Sequence, residues 1–390
     1  MGSSNIPNHL AFIEHALQKR EQSNQLRQIP EVLSKETPFI ELKGGKKILD
    51  FASNDYLGLS GSSTSAFLNS SISAASTSSR LLGGDSVALQ GAENDIAHIF
   101  GGNHRCTIFP STWQANASVI PALVGRNDLI ITDKYAHNSI INAAKLSGTK
   151  FLRYKHNNLA ELERVLSSNR ADYKRCLVAT ESVFSMQGSM LEYEAFLEIC
   201  GKYEAISFID EAHAFGVYGE EGIGLVPKEY DVDIRVGALG KAAASNGGFV
   251  ITSDLIRQYL ANFADGLIYS TAISPLHAAI ISHQVSLLKK ANEERAILSE
   301  LIKKAQQLLA ENGIIFDHKL SHIIPIAVGD DARCLQIKQA LMNSGFWVAA
   351  IRPPTVPAGQ ACIRISLTAR HTEKQLRHFI SELCSAFKNA

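Results

Sequence analysis

A chain of 390 residues exceeds the usual size of one domain and can bury a large core, so two or more subdomains are expected. Lysine plus arginine and aspartate plus glutamate both total 38, so no basic field is present to recruit nucleic acid or an acidic membrane, and a small-molecule substrate fits better. The six cysteines, Cys106, Cys176, Cys200, Cys334, Cys362 and Cys384, are scattered without a C-x-x-C pair, which argues against a zinc site and a disulfide framework. No apolar run approaches the roughly 18 residues of a membrane span, and no charged-then-apolar leader follows Met1, so the cytoplasm is the expected location.

In chain order, Ile13, Leu17 and Leu26 fall among charges at near-helical spacing, which predicts an amphipathic helix within Leu10–Arg27 that packs on the rest of the chain or on a partner. Short strand-like runs at Phe39–Leu42 and Ile48–Phe51 lead into the turn-rich Ser53-Asn54-Asp55-Tyr56-Leu57-Gly58. Ser60 to Ser79 is half serine, a composition that by itself suggests a flexible linker. Apolar strand candidates then recur at Cys106–Phe109, Leu129–Thr132, Leu177–Thr180, Ile206–Asp210, Ile234–Leu239 and Gly248–Thr252, separated by helix-length segments. That alternation predicts a mostly parallel sheet covered on both faces, with ligands bound beyond the carboxyl ends of its strands. A long helical stretch from Pro275 to Asn312 leads to a smaller α+β region. The division expected is an N-terminal extension over 1–45, a large domain over 46–285 and a small domain over 286–390.

Chemistry concentrates between Ile206 and Lys241. An apolar strand runs into Asp210, Ala212-His213 follow, and Gly240-Lys241 close the segment. Pyridoxal phosphate needs a carboxylate against its pyridine nitrogen, a donor near its phenolic oxygen and a lysine amine for a Schiff base, and Asp210, His213 and Lys241 supply one of each. Taken singly, an aspartate at a strand end is often a helix N-cap and a Gly-Lys is often an exposed turn. Their combination carries the inference.

Three segments, Asp210-Glu211-Ala212-His213, Thr180-Glu181-Ser182-Val183-Phe184-Ser185-Met186 and Gly237-Ala238-Leu239-Gly240-Lys241, resemble the signatures of the α-oxoamine synthases, and the similarity runs from about Ile13 to the C-terminus. These are fold-type I pyridoxal-phosphate enzymes that join an amino acid to an acyl thioester with loss of carbon dioxide. The resemblance implies an α/β fold with a mostly parallel seven-stranded sheet and a smaller C-terminal α+β domain. It also implies a homodimer with composite sites, and a helix and cofactor-edge loop where Ser79-Arg80-Leu81 matches the family's Ser-Arg-Leu.

Residue by residue, the resemblance makes Lys241 the Schiff-base lysine and Asp210 the partner of the ring nitrogen. His213 and Ser185 come near the phenolic oxygen, and His137 stacks on the ring. Glu181 lies on the same strand end. Ser111-Thr112-Trp113 stands where the family places a phosphate-binding Ser-Gly-aromatic at a helix start, and Ser270 and Thr271 match a segment reaching the neighbouring subunit's phosphate. Asn54 and Arg364 match positions that hold the amino-acid carboxylate, Arg27 a basic residue near the acyl entrance, and Thr355 the loop over it. Departures are Thr112 for glycine, Ala238 for a phosphate-donating threonine, and Gln187 and Ser189 for acidic residues. Within the family, Ile351–Gly359 and Ile363–Thr368 are most similar to the branch that condenses L-alanine with a pimeloyl thioester, carried on coenzyme A or acyl carrier protein. Other amino acid and acyl pairs, or a weakened homologue that binds without turnover, are the alternatives.

Overall fold

The computed structural model describes residues 7–62, 65–68, 71–316 and 318–390. Its centre is a seven-stranded sheet whose strands lie in the order Arg105–Phe109, Gly248–Thr252, Ile234–Ala238, Ile206–Asp210, Cys176–Glu181, Leu129–Asp133, Lys150–Tyr154. Only Gly248–Thr252 runs against its neighbours.

Successive side chains of a strand point to opposite faces, and both faces of this sheet are apolar. Ile130, Leu177, Ala179, Phe208, Val236 and Val250 pack one way, with Val119 and Ile120 of the helix Thr112–Leu123 and Ile140 of Asn138–Leu146. Leu129, Ile131, Val178 and Ile209 pack the other way, with Leu162 and Leu166 of Leu159–Asn169 and Phe196 of Tyr193–Lys202. Covered on both sides, a strand reads as an unbroken apolar run, and this is why the six anticipated core strands stand out in the sequence. The edge strand Lys150–Tyr154 was not anticipated, because Lys-Phe-Leu-Arg-Tyr is only partly buried.

The predicted helical stretch from Pro275 to Asn312 is two helices, Pro275–Lys290 and Asn292–Glu311, parted at Ala291. Beyond them the antiparallel strands Ile323–Gly329, Ala361–Ser366 and Ala349–Ile351 form a small sheet. The strand Lys46–Asp50 pairs in parallel with Phe346–Trp347, and Ser366 N and Ala369 N donate to Phe51 O and Tyr56 O, so the turn holding Asn54 is fastened to this C-terminal sheet. The predicted N-terminal helix forms over Ala11–Gln22, yet buries none of its residues and leaves Phe12 and Leu17 exposed. The serine-rich stretch holds a short helix at Ser65–Leu68 and is followed by a 3-10 turn at Arg80–Leu82; residues 63–64 and 69–70 lie outside the described residues. Among the described residues no helix is long and apolar enough to cross a membrane, and no cluster of metal-ligating side chains occurs.

Candidate active site

Asp210 ends its strand with its carboxylate buried and each oxygen accepting one hydrogen bond. Its Oδ1 accepts from Ala212 N at 2.9 Å and its Oδ2 from Asn116 Nδ2 at 3.0 Å. Asn116 also donates to Ser139 Oγ at 2.8 Å, and that hydroxyl lies 2.7 Å from His137 Nδ1. A continuous hydrogen-bonded path therefore joins Asp210 to His137. His137 caps the helix Asn138–Leu146 and is exposed as a residue, yet desolvation by the groups around its imidazole holds its pKa below the ordinary value, with Asp210 opposing and Lys241 adding to the shift.

Lys241 sits in the turn between the antiparallel strands Ile234–Ala238 and Gly248–Thr252, closed by Leu239 N to Gly247 O at 3.0 Å and Ser245 N to Leu239 O at 2.9 Å. Burial drives its amine down to about 8, against the pull of the Asp210 and Glu181 carboxylates and with help from Arg364. Glu181 is buried at the end of the adjacent strand. Desolvation and the Asp210 charge raise its pKa well above the carboxylate range; its Oε2 accepts from Ser185 N at 3.2 Å and its Oε1 has no partner.

His213 follows in the loop after Asp210. Burial, then the charges of Lys241, Arg364, His322 and His137, push it well below 6.5, so the ring is neutral. Its Nδ1 lies 2.6 Å from the Tyr56 hydroxyl, which donates to Asn54 Oδ1 at 3.0 Å. Arg364 is buried and fixed, with Nε donating to Ser185 O at 2.6 Å, Nη1 to Ser366 Oγ at 2.8 Å and Nη2 to Asn54 Oδ1 at 3.5 Å. Lys241, Asp210, His137, His213, Ser185, Asn54 and Arg364, drawn from six segments of the chain, thus gather at one site through hydrogen bonds and through the charges that shift Lys241, His137 and His213.

At one side of the cluster the helix Thr112–Leu123 begins. Ser111 Oγ accepts from Gln114 N, leaving the N–H groups of Thr112 and Trp113 without intrahelical acceptors. The strand Gly248–Thr252 presses on this start so closely that a Cβ at Gly248 would stand 2.4 Å from Thr112 Cα. Thr112 donates its hydroxyl to Gly237 O at 3.2 Å, beside the buried Ala238, while Trp113 is half exposed.

Two predicted groups lie apart from these contacts. Ser270 and Thr271 run along the Ser78–Ser79 segment, through a Ser79–Thr271 bridge and Ala272 N to Ser78 O at 3.0 Å. Arg27 and Thr355, from opposite ends of the chain, meet each other, with Arg27 Nη2 donating to Thr355 Oγ1 at 2.7 Å. The sequence reading missed Asn116, Ser139 and Tyr56. Asn116 carried a usable signal, a polar side chain among the buried residues of an apolar helix face.

A buried carboxylate, a lysine with a depressed pKa and open N–H groups at a helix start match the ring nitrogen, aldehyde and phosphate of pyridoxal phosphate, and the unpartnered Glu181 Oε1 and Ser245 Oγ mark a polar site with donors and acceptors to spare. The profile of the aminotransferase class I and II family matches residues 46–383. The chain belongs to that family. Among members of this family, the 8-amino-7-oxononanoate synthase of Haemophilus ducreyi is 37% identical over 90% of this chain and 96% of its own. That of Chlorobaculum parvum is 32% identical over 97% and 99%. Of solved structures, the 8-amino-7-oxononanoate synthase of Francisella tularensis aligns with a TM-score of 0.75 at 30% identity, covering 88% of this chain and 98% of that one. The serine palmitoyltransferase of Sphingomonas wittichii aligns at 0.89 and 25%, covering 98% and 99%. This family member is a pyridoxal-phosphate-dependent acyltransferase of the α-oxoamine synthase group.

Proposed function

We propose that the chain condenses L-alanine with a pimeloyl thioester, on coenzyme A or an acyl carrier protein, to give 8-amino-7-oxononanoate, the free thiol and carbon dioxide, a step towards biotin. The names of its relatives support the substrates. The observation that carries the chemistry is the placement of Lys241, in the turn after Ile234–Ala238, within reach of the Asp210 and Glu181 charges, where burial lowers its amine to about 8 against their pull.

Bound pyridoxal phosphate supplies a conjugated ring that stores the electron pair released at the carbon next to nitrogen. Lys241 would hold the cofactor through Nζ, and its neutral amine would take the α-proton of alanine. Asp210, oriented by Asn116 and Ala212, keeps the ring nitrogen protonated by its opposite charge. His137, His213 and Ser185 would contact the ring and its phenolic oxygen, and Thr112, Trp113 and the strand end at Ala238 would hold the phosphate. Asn54 and Arg364 would hold the alanine carboxylate; Arg364 is pinned at Nε and Nη1, and its Nη2, which spends one hydrogen on Asn54 Oδ1, has a second to give the substrate. The Arg27–Thr355 pair stands at the acyl entrance. Exposed Leu81, Leu82, Trp113 and Tyr269, with the Ser270–Thr271 segment, form the face of a homodimer in which Ser270 and Thr271 reach the partner's phosphate.

The test compares thiol release with alanine, glycine and serine against pimeloyl, acetyl, succinyl and palmitoyl thioesters. Preference for alanine with the pimeloyl donor is the expected result, and no such preference removes the assignment. Borohydride reduction should fix the cofactor's mass on Lys241 and on no other lysine.

A further inference from the structure

Beside the cluster, the buried Asp133 carboxylate at the end of Leu129–Asp133 starts a second polar line. Its Oδ1 lies 3.0 Å from His156 Nδ1, and His156 Nε2 lies 2.7 Å from the buried Ser189 Oγ. Asp133 itself is fixed by backbone, accepting from Tyr135 N at 2.7 Å and Asn157 N at 2.8 Å. The His156 ring stands perpendicular to that of Phe184, with centroids 4.4 Å apart.

A carboxylate accepts and never donates, so a ring hydrogen of His156 faces Asp133 from Nδ1, and Nε2 is left to meet Ser189. A hydroxyl both gives and takes a hydrogen, and so it serves the neutral and the charged ring alike. The acidic residue usual at this position in the family could only accept, which suits a ring carrying both hydrogens. Serine keeps the line joined in either state.

Ser189 closes the turn that opens at Ser185. Gly188 N to Phe184 O at 2.9 Å and Phe184 N to Ser189 O at 3.0 Å shape the turn from within. Its entering leg is tied to the sheet by Ser185 N on Glu181 Oε2 at 3.2 Å. Its leaving leg is tied by Ser189 Oγ on His156 and, one residue further, by Asn157 Nδ2 on Met190 O at 3.1 Å. What the turn presents is the Ser185 carbonyl, which takes Arg364 Nε at 2.6 Å. Because a hydrogen bond weakens steeply as its angle opens, the place of that carbonyl directs the guanidinium.

We propose that His156 and Ser189 are positioning residues for the amino-acid subsite, carrying the hold of Asp133 through Ser189 Oγ to the turn whose Ser185 carbonyl aims Arg364. This rests on the carboxylate role proposed above for Arg364.

The test uses cofactor-loaded protein and two readouts, half-saturation by L-alanine followed in the cofactor's absorbance, and the cofactor Kd from equilibrium dialysis. Ser189→Ala should raise the alanine half-saturation about three- to tenfold, the worth of one hydrogen bond, and leave the cofactor Kd unchanged. His156→Ala should raise it by a similar factor, and the double variant by no more than the larger single effect, because both cut one line. Arg364→Gln checks the underlying reading and should raise it by about one to two decades. Alanine that fails to saturate the wild type, or that binds Arg364→Gln equally well, overturns the carboxylate reading and this proposal together. A loss in Arg364→Gln overturns the His156 line alone if Ser189→Ala keeps the wild-type value, if its loss falls equally on the cofactor, or if the two single effects add in the double variant. The Ser189→Ala pattern decides even should His156→Ala fail to fold.

Discussion

Lys241 owes its lowered pKa to surroundings that no single residue supplies. An exposed lysine titrates near 10.4; here burial outweighs the attraction of Asp210 and Glu181, and the amine releases its proton at about 8. The unprotonated amine is the nucleophile, so capture of pyridoxal phosphate by apoprotein should accelerate as pH rises through about 8 and level off above it. Stopped-flow absorbance against pH measures this, and a rate still climbing above pH 9 would contradict it. Ala238 offers a second test at the same scale. It is buried one residue from the carbonyl that takes the Thr112 hydroxyl, and it brings no hydroxyl of its own. A hydrogen bond to a charged group is worth roughly 1.5–3 kcal/mol, so Ala238→Thr should tighten cofactor binding by about one to two decades, read by equilibrium dialysis.

The elements explain where those residues stand. The helix Thr112–Leu123 delivers both its N-terminal N–H groups and, one turn in, the Asn116 amide that holds Asp210. Its start is clamped by the strand Gly248–Thr252, where only a glycine fits: an added Cβ would stand 2.4 Å from Thr112 N and Cα. Gly248→Ala therefore has to displace the helix start, since both colliding atoms are backbone. Overpacking of this kind costs about 1–3 kcal/mol, and the expected outcome is a lower melting temperature together with cofactor affinity weakened about tenfold. Cofactor affinity unchanged in a destabilised variant would separate the helix start from the phosphate. The same scale shows what pattern reading reaches. Ile206–Asp210 and Leu129–Asp133 were legible because two-sided burial writes an apolar run. Lys150–Tyr154 was not, because an edge strand needs neither face fully apolar. The break at Ala291 was equally hidden, since both flanking helices keep helical spacing up to it.

At the scale of the molecule, several histidines are sealed in neutral form. Burial takes His322 down to about 3 and His371 to about 4, and His213 well below 6.5. Below pH 6.5 the unfolded chain binds protons that the folded chain refuses, so folding stability is full above that pH and falls as pH drops towards 4. Each such histidine contributes a slope of about 1.4 kcal/mol per pH unit in that window. Melting temperature should fall steadily from pH 6.5 to 4.5. In His371→Phe, where the ring already stacks on Phe51 at 4.1 Å, the fall should be shallower; an identical slope would show that His371 is not excluded from protonation. Light scattering on the eluting protein tests the dimer: a mass of one chain, 42.4 kDa, would leave Ser270 and Thr271 without a partner site.

The sequence alone determined the class of chemistry and the scaffold for it. Schiff-base formation, a ring-nitrogen carboxylate and a two-sided sheet each demand particular residue types at local spacings, and Lys241, Asp210, His213 and the apolar runs display them in linear order. The tertiary structure decided the partnerships. Asn116 under Asp210, Tyr56 between Asn54 and His213, Ser185 O on Arg364, and Arg27 against Thr355 all join residues distant along the chain. Such contacts leave no periodicity to read, because they depend on where the folded backbone brings two side chains within 3 Å or so of each other, and it is those contacts that set charge and orientation at the site.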